Sequence, residues 1–365
     1  MSRALDTIEQ RLTTDPVLAA AVVDLPSVVR HARLDDGRPA HLLRLGMVID
    51  ALARHLSDDG VSVYPVTDRG LISELELTSN EKMVIRRWAD DGLAEVLPDA
   101  PDGVAERVLE IADLTGLPVI GNGDYRAYQQ RYPGTVGTSR HLLPMPGAGG
   151  VVLAPAGAGA GVVATPGGTH PALRRLWRCP DPGCAGFGST EGGQPPPRLR
   201  DGVPACPRHG QPLADLGPAP EAIPTVVVLD GTARQRFVVR SNRPVAVGRN
   251  PEEPGVRLGL LLDEEAARVV SRSHLRMEVA GGRLAVVDTS TNGTVVLVRT
   301  GPGTQPQRVT LTRGERRELG EWDSVELHTG VELASARHWR GDSTVNPSSM
   351  LAEAPTMAIR IPRQS

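Results

Sequence analysis

Three short polar stretches decide how the C-terminal third of this chain folds: GR at 248–249, SRSH at 271–274 and DTSTNGT at 288–294. Each stretch follows or precedes an apolar segment, so its side chains are expected in loops, where binding residues concentrate. Together they offer two guanidinium groups, several hydroxyls and one amide. Such donors suit an anion with several oxygens, because arginine and hydroxyl groups form charge-assisted hydrogen bonds with it.

Short β-like segments surround these stretches from Thr225 onward and are separated by Gly, Asn and Pro turns. Regular short strands with such turns predict an antiparallel sandwich or barrel. Asn292-Gly293 is also a favoured tight-turn pair. Part of the third stretch is therefore structural. The predicted strands are Thr225–Leu229, Gln235–Arg240, Pro244–Val247, Leu275–Val279, Leu284–Asp288, Val295–Val298, Arg308–Leu311 and Ser324–His328.

The order Gly-Arg, Ser-Arg-x-His, and Asp followed by Ser-Thr-Asn-Gly-Thr resembles the forkhead-associated (FHA) domain over about residues 225–338. The resemblance implies an eleven-stranded β-sandwich that binds phosphothreonine peptides through loops at one end. It implies phosphate contacts from Arg249, Ser271 and Thr291, a place at the phosphate rim for Arg272, and a peptide-backbone contact from Asn292. Gly248, His274 and Gly293 would mainly shape the loops. The acidic side chains between Asn250 and Val270 are expected to form a solvated face.

All three cysteines lie in the middle of the chain, in Cys179-Pro-Asp-Pro-Gly-Cys184 and Cys206-Pro-Arg-His209. Two ligand pairs at this spacing match a zinc-ribbon layout. Three thiolates and one imidazole would close a tetrahedral site and leave no position open for catalysis. We therefore expect a structural Zn²⁺ held by Cys179, Cys184, Cys206 and His209 in a zinc-ribbon-like segment at 173–216.

Residues 1–133 are predicted to form an α-rich domain that resembles a bacterial winged helix over roughly residues 40–112. A helix is expected over His41–Leu56, and Thr78 with Glu81 has the form of a capping box that opens a second helix. Residues 92–97 and 104–111 are expected to pair as a hairpin. The residues proposed to contact DNA or a protein partner are Asn80, Lys82, Arg86 and Arg87. Trp88 is expected in the core.

Charge is distributed unevenly along the chain. Residues 1–145 carry 15 basic and 22 acidic side chains, a net of −7, whereas residues 224–365 carry 19 and 16, a net of +3. Binding to nucleic acid depends on basic contacts to phosphates. The acidic N-terminal region therefore favours a protein partner over DNA.

The chain is accordingly predicted to be multidomain. A Gly/Ala/Pro-rich linker is expected at 134–172, the FHA sandwich at 224–340 and a disordered tail at 341–365. Thr344 and Thr356 in the tail are candidate phosphoacceptors that could occupy the chain's own phosphothreonine site.

Composition limits the function further. No apolar run is long enough to span a membrane, and three cysteines cannot form a disulfide framework, which favours the cytoplasm. No catalytic motif is visible, so the protein is not expected to be an enzyme. The predicted function is a phosphothreonine-binding signalling adaptor downstream of a bacterial Ser/Thr protein kinase. The alternative is a phosphorylation-responsive transcription regulator that uses the winged helix on DNA.

Overall fold

The structure is a computed structural model that describes most of the chain. Thr344 and Thr356, with the rest of the predicted tail, lie outside the described residues. Among the described residues no helix is long and apolar enough to cross a membrane. The described residues are 2–56, 58–97, 103–157, 170–184, 195–252, 255–301 and 303–336.

The N-terminal unit is built on a six-stranded sheet in the order β3-β2-β1-β4-β5-β6. Strands β1 to β5 run parallel, and β6 closes the edge as an antiparallel hairpin with β5. The strands are β1 (Ala19–Asp24), β2 (Ser62–Asp68), β3 (Glu95–Leu97), β4 (Val119–Ile120), β5 (His141–Gly147) and β6 (Gly150–Pro155). The helices are α1 (Ser2–Glu9), α2 (Leu25–Val29), α3 (Leu43–Leu56), α4 (Arg69–Ile72), α5 (Ser79–Asp90) and α6 (Gly103–Thr115).

Both faces of this sheet are buried, which is why its central strands are continuous apolar runs. Val23 of β1 packs with helices α1, α2, α3 and α5 on one face, whereas Val22 packs with α6 on the other. The α3 side chains Leu45, Val48 and Leu52 recur at helical spacing and are fully buried. A doubly covered parallel sheet follows from this pattern.

The predicted winged helix must be corrected to this α/β unit. Residues 104–111 form part of helix α6, and β3 pairs in parallel with β2, so the expected hairpin does not form. The apolar residues of this segment recur at the spacing of a helix with one buried face: Val104, Val108, Ile111 and Ala112. This periodicity favours a helix over a strand. The capping box of Thr78 and Glu81 is present at the start of α5, and Trp88 is fully buried.

The expected linker at 134–172 also differs from the structure at its start. Strands β5 and β6 lie within it, and Leu142 and Val151 belong to the core of the N-terminal unit. Residues 158–169 of this stretch are outside the described residues. The folded N-terminal unit therefore extends at least to Pro155.

The cysteine-containing segment consists of two small antiparallel strand pairs. Strand β7 (Arg175–Arg178) pairs with β10 (Ala214–Pro218), and β8 (Arg198–Arg200) pairs with β9 (Val203–Ala205). A short 3-10 helix, Pro171–Arg174, precedes β7, and two others, Ala32–Leu34 and Arg126–Tyr128, lie in the N-terminal unit.

Within the described residues the C-terminal unit is a β-sandwich of eleven strands, the number that the FHA resemblance implies. A six-stranded sheet, β12-β11-β21-β20-β17-β18, packs on a five-stranded sheet, β14-β13-β15-β16-β19. Side chains of both sheets share one core that includes Val227, Met277 and Leu333. The elements are β11 (Ala222–Leu229), β12 (Thr232–Arg240), β13 (Val245–Gly248), β14 (Gly255–Arg257), α7 (Glu264–Val269), β15 (Leu275–Ala280), β16 (Arg283–Asp288), β17 (Thr294–Val298), β18 (Gln307–Leu311), β19 (Arg316–Glu318), β20 (Ser324–His328) and β21 (Val331–Ser335).

Edge strand β12 docks on the loop between α3 and β2 of the N-terminal unit. The Asp58 carboxylate is buried there and accepts a hydrogen bond from Arg236 Nε at 2.7 Å. The neighbouring pair, Arg234 and Asp59, is exposed and 2.7 Å apart. Basic side chains of the sandwich thus meet acidic side chains of the N-terminal unit.

Candidate functional site

Strand register brings the three polar stretches together at one end of the sandwich. Within the five-stranded sheet β13 pairs with β15 and β15 with β16, with Val247 opposite Leu275 and Leu275 opposite Asp288. The loops that leave these positions are consequently neighbours. Four of the five residues to which the resemblance assigns ligand contacts, Arg249, Arg272, Thr291 and Asn292, are exposed, and Ser271 is half-buried.

Backbone hydrogen bonds hold the loops against one another. The Arg249 amide donates to the Ser271 carbonyl at 3.0 Å, and the Thr289 amide donates to the His274 carbonyl at 3.0 Å. Gly248 lies where a Cβ would come within 2.2 Å of the Arg272 carbonyl oxygen. Only glycine permits this approach of two loops, so Gly248 shapes the site without offering a side chain.

The hydroxyls of Ser271 and Thr291 meet at the centre of the site. Their oxygens are 3.3 Å apart, and the Thr291 amide donates to Ser271 Oγ at 3.2 Å. Behind them Asp288 Oδ1 accepts from the Ser290 amide at 2.8 Å and from Thr294 Oγ1 at 2.9 Å. Asp288 thereby fixes the turn that presents Thr291.

His274 is fully buried beneath the loops. Its Nδ1 accepts a hydrogen bond from the Ser271 amide at 3.2 Å. Burial lowers the pKa of this imidazole, and the nearby Asp288 only partly opposes that shift. His274 is therefore neutral at pH 7 and can act as an acceptor that positions Ser271.

The two arginines of the site have no carboxylate partner among the described residues. Arg249 donates through Nη1 to the Ala267 carbonyl at 2.8 Å, and the exposed Arg272 guanidinium makes no hydrogen bond there. Many other arginines of the chain are paired with carboxylates, as in Arg44–Asp35 and Arg107–Glu95. The positive charge at this end of the sandwich is thus available to an anion.

Helix α7 is part of the site, and the sequence analysis did not predict this helix. In its last turn the Ala267 carbonyl accepts a hydrogen bond from Arg249, and the Val269 carbonyl accepts one from Asn292 Nδ2 at 3.0 Å. The missed signal is Asp263, which caps the helix by accepting from the Ala266 amide at 2.8 Å and is followed by two glutamates. The acidic side chains Asp263, Glu264 and Glu265 are exposed, whereas the carbonyls of Ala267 and Val269 position two candidate ligand-binding side chains.

The four residues expected to hold a metal lie together in the middle segment. Their ligand atoms are all within 4.8 Å of one another. Cys184 Sγ and Cys206 Sγ are 3.8 Å apart, and Cys179 Sγ is 3.0 Å from His209 Nε2. Two thiolates bound to one Zn²⁺ in a tetrahedron are roughly 3.8 Å apart, given a Zn–S bond of about 2.3 Å. The Cys184–Cys206 distance therefore matches two thiolates on one ion, and the four residues together could hold a metal ion.

The chemistry of the thiols agrees with such an ion. Without a cation, burial raises the pKa of the Cys179 thiol to about 11, and the neighbouring thiols Cys184 and Cys206 add to that effect. A bound divalent cation reverses this preference because it stabilises thiolates. The Asp181 amide already donates toward Cys179 Sγ at 3.4 Å, as expected for a sulfur that carries negative charge when metal is bound.

The residues proposed to contact DNA or a partner lie on α5 of the N-terminal unit. Asn80 and Arg86 are exposed and Lys82 is half-buried. Arg87 donates through Nε to Glu9 at 3.1 Å, which ties it to α1. Because α5 packs on a parallel sheet, these residues do not form the recognition helix of a winged helix.

The carboxyl edge of the N-terminal sheet carries a second polar group that the sequence analysis missed. The strand order reverses between β1 and β4, the position at which open α/β sheets bind ligands. Here Asp24 is buried, and burial raises the pKa of its carboxyl group. It accepts from the Tyr125 hydroxyl at 2.8 Å and from the Ser27 amide at 3.0 Å. Tyr125 thus occupies the crevice beside Asp24 in this structure.

Comparison with known proteins gives a likeness to one domain of the chain. No protein-family model and no curated protein matches it. The FHA domain of human APLF in complex with an XRCC1 bisphospho peptide is 23% identical, covers 30% of this chain and 97% of its own, and has a TM-score of 0.23. The FhaA FHA domain in complex with the intracellular domain of Rv3910 is 24% identical, covers 30% and 97%, and has a TM-score of 0.20.

A third similar structure is the MEK1 FHA domain in complex with a phosphothreonine peptide of HOP1. It is 19% identical, covers 31% of this chain and 98% of its own, and has a TM-score of 0.23. With identities and TM-scores this low, the function of this chain has to be inferred from its own geometry.

Proposed function

We propose that the C-terminal sandwich binds a phosphothreonine peptide and that the protein is a non-catalytic, cytoplasmic signalling adaptor downstream of a bacterial Ser/Thr protein kinase. One observation carries the proposal. Arg249, Arg272, Ser271 and Thr291 converge on one end of the sandwich, and no carboxylate among the described residues pairs with either arginine. A phosphorylated side chain supplies about −1.5 to −2 charges and three acceptor oxygens, which these donors match.

Each residue has a distinct role in this proposal. Arg249 and the hydroxyls of Ser271 and Thr291 bind the phosphate, and Arg272 adds positive charge at its rim. Asn292 bonds the peptide backbone next to the phosphothreonine. Gly248, His274 and Gly293 keep the loops in place, since Gly293 has φ +82° and His274 accepts from the Ser271 amide.

A pull-down from lysate of the native host tests this function. Wild-type protein should retain a partner that is lost after phosphatase treatment of the lysate, and Arg249→Ala should lose it as well. The matched control is Arg283→Ala, an exposed arginine at the opposite end of β16. Retention of the same partners by Arg249→Ala, or by wild type after phosphatase treatment, would overturn the proposal.

We also propose that Cys179, Cys184, Cys206 and His209 hold a structural Zn²⁺. The ion would stabilise a segment that has few apolar side chains of its own. Metal analysis of the purified chain should give about one zinc per chain, and Cys206→Ser should lower this value. Less than about half a zinc per wild-type chain would contradict the proposal.

The N-terminal α/β unit is proposed to recruit a second protein. Its net charge of −7 over residues 1–145 is unfavourable for a phosphate backbone. The DNA-binding alternative depended on a winged helix, and the parallel sheet removes that basis.

Phosphorylation of Thr344 or Thr356 is proposed to compete with outside partners, and phosphorylated chain should then bind an outside phosphopeptide more weakly.

A further inference from the structure

One large apolar side chain is exposed beside the candidate phosphate site. Leu260 is 96% exposed, and within the described part of the sandwich it is the only large hydrophobic residue in this state. It belongs to the run Leu258-Gly259-Leu260-Leu261-Leu262, in which Leu258 is fully buried and Leu261 and Leu262 pack on the core. The turn therefore buries Leu258, packs Leu261 and Leu262 partly against the core and leaves Leu260 in solvent.

Backbone hydrogen bonds attach this turn to Arg249, the arginine that is proposed to bind the phosphate. The Leu258 amide donates to the Gly248 carbonyl at 2.9 Å, and the Gly259 amide donates to the Arg249 carbonyl at 3.1 Å. A Cβ at Gly259 would lie 2.6 Å from the Arg249 carbonyl oxygen and 3.3 Å from Arg249 Cγ. Leu260 consequently follows a residue that is in direct contact with Arg249.

The same turn is also fixed from within. The amides of Leu261 and Leu262 both donate to the Leu258 carbonyl, at 2.8 and 3.1 Å. Leu260 is thus held on a short closed turn between β14 and α7, and α7 contacts both Arg249 and Asn292. The turn and helix α7 together thus contact both side chains that are proposed to hold the peptide, Arg249 and Asn292.

We propose that Leu260 is a specificity residue that binds an apolar side chain flanking the phosphothreonine. The inference rests on the proposed function, because it concerns the same site. A peptide binds more tightly when one of its hydrophobic side chains packs on Leu260 and is removed from water. A charged or polar side chain at that position does not increase the affinity in this way. The preferred ligand is therefore a phosphothreonine peptide with one apolar residue near the phosphate.

A leucine scan of synthetic peptides tests this inference. The parent peptide carries phosphothreonine among Ala, Gly and Arg, and one leucine is moved from three residues before the phosphothreonine to four after it. At one position we expect wild-type protein to bind about tenfold more tightly than it binds the parent. Leu260→Ser should lose this gain, so that it binds the leucine peptide and the parent peptide with equal affinity.

The matched control is Leu75→Ser, which removes another exposed leucine, 89% exposed, from the N-terminal unit. It should keep the leucine preference. A leucine gain that persists in Leu260→Ser, or the absence of any gain in wild type, overturns the role of Leu260 while phosphopeptide binding stands. Failure of every phosphorylated peptide to bind would instead overturn the proposed function itself. Unchanged melting temperatures would show that both variants are folded.

Discussion

Two arginines of the N-terminal unit and two of the sandwich are used in opposite ways. In the N-terminal unit Arg44 and Arg107 are fully buried, and each is paired with a carboxylate. In the sandwich Arg249 and Arg272 are exposed and have no carboxylate partner among the described residues. The first pair holds the fold together, whereas the second keeps its charge available to an anion.

This difference shows why composition alone could not locate a phosphate site. The chain has 39 arginines and one lysine, and many of the described arginines are paired with carboxylates. What marks an anion site is an arginine whose neighbours are carbonyls and hydroxyls. Replacing members of either group should therefore separate effects on stability from effects on binding.

The largest effect is expected for Arg107→Ala. Arg107 donates to Glu95 and Glu110 at 2.8 and 2.9 Å and to the carbonyl of Pro197 at 3.3 Å. Its removal leaves the buried Glu95 without a counter-charge and leaves Glu110 with only Arg198, at 3.3 Å, which costs about 3–5 kcal/mol of unfolding free energy. Urea unfolding measures the loss, and phosphopeptide affinity should not change below the denaturation midpoint.

Arg131→Ala is the control for this prediction. Arg131 pairs with Glu106, which lies on α6 as Arg107 does, but the Arg131 side chain is 59% exposed. The loss should stay below about 1 kcal/mol. Equal losses for the two variants would contradict the assignment of Arg107 as a structural cation.

A smaller effect is expected where the two units meet. Asp58→Ala removes a buried acceptor from Arg236 and should lower the unfolding free energy by about 1.5–3 kcal/mol. Asp59→Ala removes the neighbouring exposed pair with Arg234 and should cost less than about 1 kcal/mol. If chemical unfolding ranks Asp59→Ala as the more damaging variant, the docking of β12 on this loop is wrong.

Acid should weaken the N-terminal unit through Glu81. Burial alone would raise the pKa of this carboxyl group, but the Arg38 ion pair, the Leu42 amide and Thr78 outweigh it and hold the pKa at about 2. A lowered folded-state pKa stabilises the protein fully above the ordinary value of 4.5. That stabilisation is lost as the pH falls toward 2.

Unfolding curves between pH 6 and about pH 2 measure this effect. Glu81→Gln should be less stable than wild type at pH 6, and the difference should shrink as the pH falls. A difference that is constant over this range would show that the carboxylate of Glu81 is not the stabilising form.

The sandwich could be predicted from sequence because its motifs are tied to backbone geometry. Gly248 is required by a close approach of two loops and Gly293 by a positive φ, so both residues signal a particular loop structure. Asp288 and Thr294 likewise belong to one turn, which their hydrogen bond closes at 2.9 Å. Helix α7 carries only the cap Asp263 as a signal, which marks a helix start but no binding site, and its contribution required the contacts of Ala267 and Val269.

The N-terminal unit could not be predicted in the same way. A parallel strand buried on both faces has no alternation of apolar and polar residues, so β1 (Ala19–Asp24) gave no strand signal. Helices α3 and α5 were recognisable from their periodicity and their cap. The pairing of β1 with β2 and β4 depends on contacts between distant parts of the chain, which local patterns do not encode.

The central claim is that Arg249 binds the phosphate of a phosphothreonine peptide. The most direct test is a double-mutant cycle in which wild type and Arg249→Ala are each titrated with one peptide in its phosphorylated and unphosphorylated forms. We predict a coupling of about 1.5–3 kcal/mol between the Arg249 side chain and the phosphate. If phosphorylation changes the affinity of both proteins equally, so that the coupling is zero, Arg249 does not bind the phosphate and the claim is wrong.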